Sequence, residues 1–110
     1  MAFDEDLAHR IRAVLGALDV QATEQRMFGG LAVMVRGHMT VGVMGDELLV
    51  RVGKEGHDDA LRRPHTREFD FTGRPMSSMV VVTEPGLASD DDLAAWVRRG
   101  LDFTATLPAK

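Results

Sequence analysis

The sequence predicts an α+β fold, a two-layer sandwich in which helices cover one face of an antiparallel five-stranded sheet. Helical periodicity marks both ends of the chain, while the middle alternates apolar and polar residues as half-buried strands do. Turns of three and two residues, at 36–38 and 45–46, lie between the first three strand patterns, and turns this short force neighbouring strands to run antiparallel. The predicted element order is α-β-β-β-α-β-β-α, which favours two layers.

The first helix is predicted over residues 4–18. Its apolar side chains recur at the spacing that lines one helical face: Leu7, Ile11, Val14, Leu15 and Leu18. Asp4 is the expected N-cap because its carboxylate can accept from the free N–H groups of the first turn. Glu5 and Asp6 follow where the helix dipole favours negative charge.

Three strands are predicted next, over residues 31–35, 39–43 and 48–52. The turns between them cover residues 36–38 and 45–46, and the glycine in each turn can adopt the positive φ that a tight hairpin needs. The three strands therefore form a meander.

The second half of the chain predicts a short helix within residues 53–63, strands over 66–71 and 79–83, and a helix that begins at Ser89. Ser89 is a good N-cap, and the three aspartates at 90–92 complement the helix dipole. The stripe that we expect to dock on the sheet consists of Leu93, Trp96, Val97 and Leu101.

Length and composition limit the classes of protein. A chain of 110 residues is expected to form a single domain, 1–110. It contains no cysteine, which excludes disulfides, thiolate zinc sites and cysteine nucleophiles. The N-terminus lacks a signal-peptide pattern and no apolar run could span a bilayer, so we expect a cytoplasmic protein without membrane contact. A net charge of −4 argues against a dedicated nucleic-acid binder.

Two segments combine an arginine, an aromatic residue, a methionine and glycine beside a strand pattern. The first consists of Arg26, Met27, Phe28, Gly29 and Gly30, and the second of Phe71, Thr72, Gly73, Arg74, Pro75 and Met76. Such repeated chemistry is unusual for ordinary loops. It is the part of the sequence that points to a family.

The first segment has a structural and a binding interpretation. In the structural one, Met27 and Phe28 plug the core beneath the first helix while Gly29 turns the chain into the first strand. In the binding one, Arg26 offers a planar fork of donors at the lip of a contact surface. A phosphate loop is excluded because a strand follows the double glycine, where that loop needs a helix and a lysine.

The second segment connects the last two predicted strands. Gly73 supplies permissive dihedral angles and Pro75 stiffens the loop. On such a rigid loop, Arg74 and Met76 could present a charged and apolar contact surface. The candidate partner-binding residues are therefore Arg26, Arg74 and Met76, with Arg62 and Arg63 as a basic rim.

Catalytic and metal patterns are weak. The sequence has no G-x-S-x-G elbow and no pair of histidines at helical ligand spacing. His57, Asp59 and His65 could form a metal site, but we strongly favour the interpretation that they are solvated surface residues. The sequence therefore indicates no catalytic residue, no metal and no cofactor, and an enzyme is the minor hypothesis.

Taken together, the element order and the motifs resemble the N-terminal domain of the TfoX/Sxy family of bacterial competence regulators. The resemblance rests on the two glycine-containing segments, on the strand Leu48, Leu49, Val50, Arg51 and Val52, and on Leu93, Trp96 and Val97 of the last helix. It implies a two-layer fold similar to type III secretion chaperones, a fold that is often dimeric. Long family members carry a helical C-terminal domain and are linked to transcription of competence genes with a cyclic-AMP receptor protein. We expect this chain to be the N-terminal domain alone.

These observations support three hypotheses of function. The first is a small cytoplasmic, non-catalytic adaptor domain that works by protein–protein contact, with a homodimer as one expected form. The second is a nucleic-acid-binding transcriptional accessory protein that uses Arg62, Arg63 and Arg67. The third is a metal-dependent enzyme.

Overall fold

The computed structural model describes residues 3–27, 29–70 and 75–108, with side chains for all of these except 75–77. In chain order the elements are α1 (Glu5–Ala17), β1 (Thr23–Met27), β2 (Gly30–Val35), β3 (His38–Met44), β4 (Glu47–Arg51), α2 (Gly53–Leu61), β5 (Thr66–Asp70), β6 (Pro75–Val82) and α3 (Asp90–Thr104), with a 3-10 turn at Glu84–Leu87 before α3. The strands form an open antiparallel sheet in the spatial order β1-β2-β3-β4-β6-β5.

The α+β class and the antiparallel sheet agree with the sequence prediction, but the sheet has six strands rather than five and the element order differs. The additional strand is β1, which lies at one edge of the sheet and is exposed along its whole length. Because this strand buries no side chain, it carries no apolar alternation from which it could have been predicted.

Both long helices begin at the predicted caps. The Asp4 carboxylate accepts from the N–H of Asp6 at 2.9 Å and of Leu7 at 3.4 Å. The Ser89 hydroxyl accepts from the N–H of Asp92 at 3.0 Å. These bonds satisfy donors that the first turn of a helix leaves without intrahelical partners. Among the described residues, no helix is both long and apolar enough to cross a membrane.

The main core lies between the three helices and one face of the sheet. Its buried residues are Phe3, Leu7, Ala8, Ile11, Leu15, Leu31, Val33, Val41, Val43, Leu48, Val50, Val52, Ala60, Val80, Val82, Leu87, Leu93 and Val97. Trp96 and Leu101 of the predicted α3 stripe pack against this core and are only partly buried.

A second, smaller cluster lies on the other face of the sheet. It contains Leu49, Phe69, Met79 and Val81, with Met39 and Met44 packed against it. Leu49 and Val81 are register partners and alternate with core residues along their strands, which places them on the face away from the helices. A register irregularity between Glu68 and Asp70 accompanies the burial of Phe69 in this second cluster.

The prediction that Met27 plugs the core is wrong, because its side chain is 42% exposed. Met27 alternates with Arg26, whose guanidinium lies over the Phe3 ring on the helix side, so Met27 belongs to the opposite face of an edge strand. Phe28 of the same segment lies outside the described residues. In the second segment, residues 71–74 lie outside them. The prediction that Pro75 and Met76 lie in the connecting loop is wrong, because β6 begins at Pro75 and contains both residues.

Candidate ligand-binding cleft

A cleft of about 600 Å³ opens where the α2–β5 connection, the 3-10 turn and α3 meet. Its walls consist of Arg63, Pro64, His65, Pro85, Gly86, Asp92, Ala95, Trp96 and Arg99. We call it the Trp96 cleft. Its volume is in the range of clefts that receive small ligands.

Trp96 and Arg99 form one wall of the Trp96 cleft. They stand three residues apart on α3, so both side chains lie on one face of the helix. The Arg99 guanidinium carbon is 5.7 Å from the centre of the Trp96 ring. Its Nη2 atom donates to the carbonyl oxygen of Gly56 at 3.1 Å and to Oδ2 of Asp59 at 2.8 Å. Arg99 is therefore held by the ring on one side and by α2 on the other.

Asp59 balances several cations beside the cleft. Its Oδ2 atom also lies 3.7 Å from Nη2 of Arg63, one helical turn further along the chain. The hydrogen bond from Arg99, with the charges of Arg99, Arg63 and Arg62, lowers the pKa of Asp59. One carboxylate thus faces three guanidinium groups, which gives this wall excess positive charge. Asp92, one helical turn before Trp96 on α3, also lines the cleft.

His65 lines the cleft in an unusual backbone conformation. Its φ of 65° is in the left-handed region, which costs a residue other than glycine about 1–2 kcal/mol. The conformation is held because the carbonyl oxygen of His65 accepts from both N (2.8 Å) and Oγ1 (3.1 Å) of Thr83. Strained backbone of this kind concentrates at functional sites.

Gly86 makes room for this arrangement. A Cβ atom at position 86 would lie 2.9 Å from Cγ1 of Val82 and 3.1 Å from Cβ of His65. Both distances are shorter than van der Waals contact, so a side chain here would displace Val82, His65 or the 3-10 turn. The shape of the cleft therefore requires glycine at this position.

The structure distributes the predicted contact residues over both edges of the sheet. Arg62 and Arg63 follow the end of α2 and belong to the cationic wall of the Trp96 cleft or its margin. Arg26 is on β1, at the opposite edge of the sheet. Five strand spacings, or about 24 Å, separate β1 from β5, the strand that borders the cleft. Arg67 forms an ion pair with Glu47, and its register partner Val81 places it on the face away from the helices. Arg74 and the side chain of Met76 are outside the described residues.

Sequence reasoning missed Arg99 and Gly86 and assigned Trp96 to the core alone. The spacing of Trp96 and Arg99 on a predicted helix was a usable signal, because residues three apart share a helical face. The strained φ of His65 had no comparable signal in the sequence.

The three residues of the metal hypothesis are not brought together. His57 is buried in α2, Asp59 is engaged by Arg99, and His65 lines the cleft. Within the described ranges, no group of three or more histidine, aspartate or glutamate side chains could hold a metal ion. In the acidic first turn of α3, Oδ1 of Asp90 accepts a hydrogen bond from Nη2 of Arg10 at 3.2 Å.

The fold and the cleft define a small α+β domain with an open antiparallel sheet and a cationic, tryptophan-lined concave surface. The sequence-family model of the TfoX N-terminal domain matches residues 15–104 of this chain. The chain therefore belongs to the TfoX N-terminal domain family, as the motifs had suggested, and membership links it at the level of the family to competence regulation. No curated protein and no solved structure matches the chain.

Proposed function

We propose that this protein is a non-catalytic binding domain that acts through protein–protein contact, and that the Trp96 cleft receives an acidic segment of its partner. One observation carries the proposal: two guanidinium groups, a strained histidine and a half-buried tryptophan converge on one concave surface. Tryptophan and arginine are the residues most enriched at the energetic centres of protein interfaces.

The chemistry of the wall supports an acidic partner. Arg99 already binds the carboxylate of Asp59 at 2.8 Å, and Arg63 is exposed, with that same carboxylate 3.7 Å away. An arginine has five N–H donors, so both groups retain donors for a carboxylate supplied by the partner. The exposed part of the Trp96 ring offers apolar area to a neighbouring side chain of the same segment.

A regulatory role fits this chemistry. Family membership connects the chain to competence regulation, and an adaptor would contribute to such regulation by holding a transcription protein through a short acidic stretch. We expect modest affinity, because partly exposed ion pairs each contribute only about 0.2–1 kcal/mol.

The test is affinity capture from lysate of the source cells, treated with nuclease, using the parent protein and two variants with the same charge change. Arg63→Glu reverses a charge in the cleft, and Arg98→Glu reverses an exposed charge on α3 outside it. We expect a partner that resists nuclease, is lost with Arg63→Glu and is kept with Arg98→Glu. The partner's acidic segment, made as a peptide, should then bind the parent at least tenfold more tightly than Arg63→Glu.

Equal capture by both variants would contradict the assignment of the cleft. Recovery of transcription proteins only without nuclease would replace the adaptor by a nucleic-acid-binding accessory protein. In that case the affinity for duplex should fall steeply with salt.

A further inference from the structure

Among the residues that the structure describes, β1 forms one edge of the sheet and pairs only with β2. All five of its residues are exposed, and its pairing with β2 continues without a register shift from Thr23↔Met34 to Met27↔Gly30. A regular edge strand presents a row of unpaired backbone groups that can accept another strand.

The pairing with β2 determines which backbone groups of β1 face outward. Because only two residues separate Met27 from Gly30, the hairpin closes on a hydrogen-bonded pair. Hydrogen-bonded and non-hydrogen-bonded pairs alternate along an antiparallel ladder. Gln25 therefore directs its N–H and C=O toward β2, and Glu24 and Arg26 direct theirs toward the free edge.

The side chains of these two outward-facing residues carry opposite charges. Glu24 accepts from Nε and Nη2 of Arg12 on α1 at 2.6 and 2.7 Å, and Arg26 lies over the ring of Phe3 at 5.7 Å. Both contacts are on the helix side of the sheet. The free edge thus presents one negative and one positive side chain, placed symmetrically about Gln25.

We propose that β1 pairs antiparallel with β1 of a second copy of this chain, with the two Gln25 residues facing each other across a two-fold axis. The two sheets then form one continuous sheet of twelve strands, twice the six of one copy. Glu24 of each copy stands opposite Arg26 of the other, and the outward backbone groups of both residues form the new hydrogen bonds.

Other registers are less favourable. In a register shifted by one residue, backbone groups that already bond to β2 stand opposite groups that face the free edge. The ladder between the two β1 strands then cannot form. A shift of two residues places Glu24 opposite Glu24 or Arg26 opposite Arg26, and like charges directly opposite each other destabilise a strand pair. Charge and hydrogen-bond alternation therefore favour the same register. Charged residues on an edge can also prevent strand addition, and the experiments below distinguish that role.

Five paired residues bury less than the ~1,000 Å² that stable interfaces require, so the association should be weak. The dissociation constant should lie between about 10 μM and 1 mM, which corresponds to about 4–7 kcal/mol. This proposal is independent of the Trp96 cleft, which lies at the other edge of the sheet and stays open in such a dimer.

The first experiment is sedimentation velocity over a range of concentrations that reaches about 1 mM, the weakest affinity expected. Arg26→Glu replaces each opposite-charge pair across the axis by two facing carboxylates and should weaken association at least tenfold. Adding Glu24→Arg to that variant restores opposite charges and should recover the dimer, although both native side chains are gone. Arg98→Glu, with the same charge change on α3, should associate like the parent.

The second experiment uses the absence of cysteine. Across the two-fold axis the Cα atoms of the Gln25 pair should be about 4.5 Å apart, as in other non-hydrogen-bonded pairs, which suits a disulfide. The Thr23 pair should be about 14 Å apart, which is too far. Under mild oxidation Gln25→Cys should therefore form a covalent dimer much faster than Thr23→Cys.

A chain that stays monomeric at all concentrations would overturn the proposal, as would equal cross-linking of the two cysteine variants. Failure of the double charge exchange to restore the dimer would overturn the register. Circular dichroism of each variant shows that the monomer remains folded.

Discussion

The two edges of the sheet end in different ways. β5 contains a register irregularity between Glu68 and Asp70, packs against α2 and follows a residue with strained backbone, His65. β1 is regular, exposed and followed by a short hairpin. A bulge disturbs the ladder that an added strand would need, whereas a regular edge offers it. One edge therefore ends the sheet and borders a cleft, while the other remains available for extension.

The largest effect should come from Trp96→Ala. Complete burial of an aromatic residue would give a loss of about 3–5 kcal/mol, but Trp96 is only partly buried, so we expect about 2 kcal/mol. The cleft should also lose its partner, while association through β1 should not change. Urea unfolding measures the first effect, and an unchanged midpoint would show that the ring contributes no packing.

Gly86→Ala should be the next largest. The added Cβ has no room between Val82 and His65. Such overpacking costs about 1–3 kcal/mol, and we expect the lower half of that range because only the contact with Val82 is shorter than 3.0 Å. We expect a lower melting temperature and weaker binding at the cleft, measured by calorimetry and with the partner peptide. Gly16→Ala is the matched control, because nothing lies within 4 Å of a Cβ there and helix propensity predicts a gain of up to about 1 kcal/mol.

His65→Gly should separate strain from recognition. Glycine adopts a positive φ without the steric cost, although it loses more entropy on folding, so stability should rise by about 0.5 kcal/mol. If His65 contacts the partner, affinity should fall despite this gain. A fall in both stability and affinity would indicate that the imidazole supports the fold instead.

The smallest expected effect is the pH dependence of folding stability that Glu24 contributes. The hydrogen bond from Arg12 lowers the pKa of Glu24. The ionised carboxylate therefore stabilises the fold fully at pH values above the ordinary pKa of glutamate. This stabilisation is lost as the pH falls through the lowered pKa of Glu24. Because the pair is partly exposed, we expect about 0.2–1 kcal/mol. Glu24→Gln should therefore lower stability at neutral pH and converge with the parent in acid, measured at a concentration where the chain is monomeric.

Much of the fold could be predicted from the sequence because apolar periodicity encodes burial. Asp4 and Ser89 cap the helices as expected. The five predicted strands overlap β2 to β6, although β6 begins at Pro75, four residues before the predicted start at residue 79. β1 was missed because its five exposed residues leave no apolar pattern, and the same exposure explains the error about Met27.

The candidate site was only partly predictable. Arg63 was recognised as part of a basic rim, but the cleft joins residues from the α2–β5 connection, the 3-10 turn and α3. Which of these segments meet depends on long-range packing. Local spacing can indicate that Trp96 and Arg99 share a helical face, but it cannot indicate that His65 and Gly86 lie opposite them.

The bond between Arg12 and Glu24 has a thermodynamic consequence for the whole domain. Glu24 belongs to the open edge of the sheet, and Arg12 belongs to α1. If a second copy binds Glu24 at that edge, it acts on a carboxylate that also holds the helix layer. Self-association and any contact that displaces α1 are then thermodynamically linked. The free energy by which such a contact changes self-association equals the free energy by which self-association changes that contact.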